Sequence, residues 1–369
     1  MSASSEMALP ILLSALCMTA IGLLSLLLRR RTSLGAASQP APAPGSRELS
    51  CSGLLHPRTA FGSWGRGIGE LMNPRFLLST AEGILVADSG NNRLQIFSAD
   101  GEPLSIISGG RPGHPTGLAS DGIHVWVADS SNCSVTKVRL SSGSHELRCG
   151  SYGSAANEFS APEGLALAHG VLFVADEGNQ RVVLLDAATL TWRGAFGSPG
   201  RQFGDLWNPV GLTVIDQELY VRDTHNHRIH VFDVEGAVEG AVEGARGPGA
   251  CGACLRSFGG AGSAPGLFDT PTGMVHDGHG RLLVSEAGAK RIQMLTTHGV
   301  PLQVLALPHA GRLYGMCVRG GVIYVADYEN HQVHVLDLKQ EQLPLRPPAS
   351  PARPIVSTQS TVDALYLTS

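Results

Sequence analysis

Charge is scarce in this chain. Asp, Glu, Lys and Arg make up 16% of its 369 residues, and the formal net charge is −4. Lysine is nearly missing: Lys137, Lys290 and Lys339 are the three present. A protein that grips nucleic acid over its whole surface needs a strong basic excess, so this balance argues against that class and leaves room for a local patch only. Cysteine is sparse too. Seven scattered cysteines do not form the paired framework of a small disulfide scaffold. Cys251 and Cys254 make the one CxxC. A zinc ribbon or RING needs further paired ligands. A thioredoxin-like redox pair belongs at a strand-to-helix junction, whereas this pair follows a Gly-rich loop. The pair therefore reads as plain thiols, with a loop disulfide as the alternative.

Gly and Pro are plentiful, at 46 and 22 residues. That composition suits many short strands joined by turns, and the length fits two ordinary domains or one large β domain. Residues 7–28, MALPILLSALCMTAIGLLSLLL, carry no charged side chain, and Arg29, Arg30 and Arg31 follow at once. As a helix rising about 1.5 Å per residue, this run matches a hydrocarbon core of about 30 Å. A cleaved signal peptide would start basic and have a shorter apolar region, while this chain starts MSASSEM. The segment is expected to be a transmembrane helix that meets the lipid bilayer. Its arginines are expected to hold the bulk of the chain in the cytosol, in a single-pass arrangement. Asn132-Cys133-Ser134 fits a glycosylation acceptor and would suit a lumenal placement, but it also fits a structural turn. The expected organisation is a short N-terminus (1–6), the membrane helix (7–28), a basic stop and flexible linker (29–55), one large domain (56–340) and a Pro-rich disordered tail (341–369).

The domain is built from a repeat. LVADSGNNRLQIF (85–97) returns as WVADSSNCSVTKV (126–138), FVADEGNQRVVLL (173–185), YVRDTHNHRIHVF (220–232), LVSEAGAKRIQML (283–295) and YVADYENHQVHVL (324–336). The acidic anchors are Asp88, Asp129, Asp176, Asp223, Glu286 and Asp327, spaced by 41, 47, 47, 63 and 41 residues. The long interval holds a Gly-rich insertion at roughly 235–254. A Pro-x-Gly-like element precedes each copy: NPRFL, HPTGL, APEGL, NPVGL, TPTGM and RLYGM. Apolar residues alternate with period two, so the segments are strands. Four strands per 40–50 residues predict an all-β, six-bladed β-propeller. The anchors are expected to be structural turn residues. Their carboxylates would accept backbone N–H groups two and three residues on, and Gly or Asn would take the left-handed position. Arg93, Arg181, Arg228 and Arg291 are expected to pair back to an acid. RTAFGSWGRGIGELMNP (58–74) repeats RGAFGSPGRQFGDLWNP (193–209), which makes residues 57–62 the expected outer strand of the last blade. Ring closure of that kind leaves no exposed edge.

These units resemble NHL repeats, and together they look like a six-bladed propeller of that family over about 56–340. Glu286 and the Asn132-Cys133-Ser134 turn depart from the pattern. The resemblance implies three activities: substrate recognition for ubiquitin ligases, RNA binding, or metal-dependent amidating lyase chemistry. Fold does not choose among them. Of the residues entering the inner strands (Asn73, His114, Ala161, Asn208, Thr270 and Arg312), His114 alone is a metal-ligand type. His225 and His227 read as turn residues and His230 as a strand residue, so no catalytic residue, metal or cofactor is expected. The face carrying Arg75, Arg312, Trp207, Tyr314 and His225 also carries Glu163 and Glu177, which is no phosphate-binding stripe. The remaining reading is a membrane-tethered, non-enzymatic platform for a protein or peptide partner. A role as substrate adaptor in ubiquitin-dependent turnover would need a separate ligase. Partner contact is expected from Arg75, His114, Trp207, Tyr314 and Arg312, which would otherwise be ordinary loop and rim residues.

Overall fold

A computed structural model describes residues 54–107, 113–234 and 252–339. The expected membrane helix and linker, most of the insertion with Cys251, and the tail lie outside them. Among the described residues no helix is long and apolar enough to cross a membrane.

Among the described residues, twenty-four strands form six four-stranded antiparallel sheets. Blade one is β2 to β5 (Pro74–Ser79, Ile84–Asp88, Arg93–Phe97, Pro103–Ile107) and blade two is β6 to β9 (Pro115–Ser120, His124–Asp129, Ser134–Arg139, His145–Cys149). Blade three is β10 to β13 (Pro162–Ala168, Val171–Asp176, Arg181–Asp186, Trp192–Phe196) and blade four is β14 to β17 (Pro209–Ile215, Glu218–Asp223, Arg228–Asp233, Cys254–Gly259). Blade five is β18 to β21 (Pro271–His276, Arg281–Glu286, Arg291–Thr296, Pro301–Ala306). Blade six takes β22 to β24 (Leu313–Arg319, Val322–Asp327, Gln332–Leu338) from the end of the domain and its outer strand, β1 (Leu55–Phe61), from the beginning. β1 pairs antiparallel with β24 from Leu55↔Leu338 to Phe61↔Val333. Gln303 of blade five accepts from the Leu54 and Leu55 N–H groups at 3.1 Å each, and Lys339 N–H donates to the Leu54 carbonyl at 2.8 Å. The described chain thus enters and leaves side by side, at the end of blade six opposite its Asp327 turn.

The core is six cores, one between each pair of neighbouring blades. Phe173, Ala175 and Val182 of blade three pack on Leu219, Val221 and Phe232 of blade four. Ile84, Val86 and Phe97 of blade one meet Tyr324, Val333 and Val335 of blade six. Each of the Val, Leu, Ile and Phe side chains among these is worth about 1.5–3 kcal/mol on burial, so the ring is held by shared faces rather than by a single centre. At the channel the blades nearly touch, which explains Pro-x-Gly. A Cβ on Gly117 would lie 1.9 Å from the Glu163 carbonyl oxygen, and one on Gly164 would lie 2.3 Å from that of Val210. The glycine is needed because the next blade's inner strand occupies that space.

Candidate functional site

The anchors are buried, but their main backbone partner is not in the local turn. Asp88 accepts from Met72 N–H at 2.6 Å, Asp176 from Ser160 N–H at 2.7 Å, Asp223 from Trp207 and Asn208 N–H, and Glu286 from Asp269 N–H. Each carboxylate reaches back to the loop that enters its own blade. Only Asp129 and Asp327 also take the N–H three residues on, that of Asn132 and of Asn330. The left-handed residue is an Asn, as expected, in blade one alone (Asn92); in the other blades it is Cys133, Gln180, His227, Lys290 or His331, one step before the next strand. The turn Asn donates its amide to the carboxylate instead, as Asn179 does to Asp176 at 2.7 Å. That bond fixes the turn, so the next residue can be of almost any type.

The recurring arginines do pair with the anchors. Arg93 Nε lies 2.7 Å from Asp88 and Arg181 Nε 2.9 Å from Asp176, with Arg291 beside Glu286 at 2.6 Å and Arg228 further from Asp223 at 3.8 Å. They also hold the long loops. Arg93 donates to the Arg66, Gly67 and Glu70 carbonyls, and Arg181 to those of Ser154, Ala155 and Glu158. These clamps place the long entry loops on the same face as the anchor turns. On that face stand Trp64 (67% exposed), Tyr152 (79%) and Phe203 (63%), on the loops entering blades one, three and four. Trp207, on the blade-four loop, lies under the Arg201 guanidinium at 4.4 Å.

The expected contact residues divide into two groups. Arg75, Tyr314 and His114 meet at the channel mouth, whereas Trp207 is on the rim. Arg75 of blade one donates to both oxygens of Glu163 in blade three, at 2.7 and 2.9 Å. Its guanidinium lies 5.4 Å from the Tyr314 ring and 6.0 Å from that of Tyr328. Burial, then the Arg75 charge, pushes the His114 imidazole below its ordinary range, so it is a neutral group beside Ser130 Oγ at 3.3 Å. Arg312 is exposed and pairs with Glu329 at 3.1 Å. Burial, then the Glu163 charge, pushes the Glu177 carboxyl up, and Asn208 donates to it at 2.5 Å. His225 and His227 lie at the blade-four turn and His230 is buried in β16. Among the described residues no group of His, Cys, Asp or Glu is arranged to hold a metal.

Sequence reasoning missed the most unusual group here. Blade four carries Arg222 where the other blades have Ala87, Ala128, Ala175, Ser285 and Ala326. The side chain is fully buried, and its three guanidinium nitrogens find no hydrogen-bond partner among the described residues. The signal was a single residue in the repeat alignment, YVRD against YVAD. The Glu177, Tyr328 and rim aromatics were visible but carried no pattern.

A family description, NHL repeat, matches residues 206–232 and 315–336. No curated protein sequence matches the chain. Among solved structures, a catalytically inactive virginiamycin B lyase from Staphylococcus aureus, solved with quinupristin, is similar at 15% identity. It is covered over 82% of its length by 74% of this chain, with a TM-score of 0.51. A structural-genomics protein from Bacteroides thetaiotaomicron is similar at 16% identity (77% of this chain, 76% of that one, TM-score 0.54). The WD40 β-propeller domain of Doa1 is similar at 12% identity (78% and 97%, TM-score 0.51). At these identities the likeness is one of fold alone. The chain carries NHL repeats and builds a six-bladed β-propeller from them.

Proposed function

We propose that this protein is a membrane-tethered, non-enzymatic recognition platform whose propeller binds a protein partner on the face of the anchor turns. One observation carries the reading: Trp64, Tyr152 and Phe203 are exposed aromatics on loops fixed from below by arginines. Large rigid side chains held in place lose little entropy on binding and make good anchors in protein interfaces. The described chain begins at Leu54 and ends at Lys339, both at the end of blade six opposite the anchor turns. Arg29, Arg30 and Arg31 support a cytosolic propeller. In that setting a role as adaptor for ubiquitin-dependent turnover requires a ligase as one of the partners.

The test is crosslinking of the full chain in its native membrane, with and without Trp64→Ala plus Tyr152→Ala. Both side chains are exposed, so the thermal midpoint is expected to stay put while a defined set of crosslinked proteins falls at least tenfold. Unchanged crosslinks remove the rim from the reading. Recovery of RNA instead, with steep salt dependence, overturns it. Protease protection of sealed membranes tests the topology, since a propeller digested only after detergent is added contradicts the cytosolic placement.

A further inference from the structure

Ala175 packs toward blade four and Ala128 toward blade three, so the residue before each anchor faces the next blade. Arg222 holds that position between blades four and five. The cluster shared by those two blades has eight buried apolar residues, the smallest of the six. Opposite Arg222 in the ladder is Gly211, and a Cβ there would meet the guanidinium carbon at 2.8 Å. The charge has therefore taken the space that the neighbouring inner strand fills at Gly164. The guanidinium carbon lies over Gly211 on the innermost strand of blade four, so the side chain runs inward from β15 toward the channel, where the carboxylates of Glu163 and Glu177 act on it.

A buried cation without hydrogen bonds is costly, by several kcal/mol in the general case. Five blades show that the fold does not require it. Two of the neighbours are already taken: Glu163 by Arg75, and Glu177 by Asn208. We infer that Arg222 is the receptor for a single carboxylate side chain of the protein partner, received at the channel mouth between Tyr314 and the inner strand of blade four. The inference rests on the recognition reading above and names the chemistry of its central contact. Moving the guanidinium to the mouth breaks no hydrogen bond, since it makes none, and a carboxylate offers it a planar two-point partner. Arg75 neutralises Glu163, and burial pushes the Glu177 carboxyl up toward its neutral form, so a partner's monoanion meets the one guanidinium left uncompensated. Burial pushes the Arg222 guanidinium down from its ordinary value, a desolvation cost that a paired carboxylate offsets.

The experiment selects phage-displayed dodecapeptides, with internal acidic residues, on the full chain in detergent. Selected peptides are expected to share an Asp or Glu at one position. Changing it to Asn or Gln, or changing the protein by Arg222→Met, should weaken binding at least tenfold, while Arg222→Lys recovers most of it. Because Met fills the space without the charge, the thermal midpoint of Arg222→Met should hold or rise; a fall together with lost binding assigns Arg222 a structural role and overturns the inference. Peptides that depend on Tyr314 and Trp64 but ignore Arg222→Met overturn the carboxylate site and leave the platform standing. Peptides that ignore all three changes sink both. Tighter binding of a phosphoserine in place of the acidic residue, or of a free C-terminus over its amide, assigns the site to another anion and overturns the side-chain assignment.

Discussion

Blades three and four are adjacent, have the same 47-residue spacing to the preceding anchor, and use the same long entry loop. They diverge where they face the channel. Blade three has Glu163 and Ala175 where blade four has Val210 and Arg222, and further out, on the third strand, Val183 where blade four has His230. The outer parts remain alike: Asn179 and Asn226 both hold their anchors, and Arg181 and Arg228 both reach loop carbonyls. Packing between blades constrains the frame, whereas the axis tolerates charge and is where the repeats become individual. The sharpest way to break the comparison is to give blade three the residue of blade four. Ala175→Arg puts an unpaired charge into the core shared with Val221 and Phe232, where the space beside Gly164 is already filled by the Val210 carbonyl of the next blade. It should cost more than about 4 kcal/mol and leave little folded protein in a urea titration. If it folds normally, the argument that blade four was locally rebuilt for Arg222 is wrong.

The glycines provide the next test. Gly164→Ala drives a Cβ to 2.3 Å from a backbone oxygen and 3.0 Å from the Gly211 Cα, neither of which can yield alone. Gly211→Ala meets the tip of a long side chain at 2.8 Å. Urea midpoints should show a loss of about 3 kcal/mol for the first and about 1 kcal/mol for the second. Equal losses would mean that Arg222 is as rigid as backbone. A smaller contrast is expected between the clamps. Arg181 holds its acid at 2.9 Å and three loop carbonyls, whereas Arg228 stands 3.8 Å from its acid and reaches two. Arg181→Ala should lose about 2 kcal/mol, and Arg228→Ala roughly half of that.

The same contrast explains what could be read in advance. Alternation runs through every blade, and Pro-x-Gly and Ala-Asp recur in most of them, so strands and blade number show in sequence. Closure shows because residues 58–74 copy 193–209. Contacts between blades do not show. Arg75 and Glu163 are 88 residues apart, and nothing in either repeat marks the other as its partner. The bond from each acid to the loop sixteen or so residues back was hidden for a related reason: local turn rules describe neighbours in sequence, while this carboxylate serves a neighbour in space. Arg222 is the opposite case. It was in plain view as the one basic residue at an Ala or Ser position, but its meaning depended on burial.

The anchors supply the smallest and most specific contrast, in acid. Burial pushes the Asp176 carboxyl up, and its bonds from Asn179, Ser160 and Arg181 do not fully offset that. Burial acts on Asp223 in the same direction, but the His230 imidazole 3.7 Å away, with bonds from Asn208, Asn226 and Trp207, outweighs it and holds the carboxyl below the ordinary aspartate range. The signs then differ. Asp223 stabilises the fold above the unfolded value of about 4, and that contribution is lost as pH falls through its lower folded value. Asp176 binds its proton more tightly folded than unfolded, so its contribution is present below about 4 and is lost as pH rises through its higher folded value. Between pH 5 and pH 3, Asp223→Asn should therefore flatten the loss of stability, and Asp176→Asn should steepen it. Thermal midpoints across that window decide the matter. Shifts of the same sign in both variants would mean that His230 does not distinguish the two blades, and that their difference is confined to the channel.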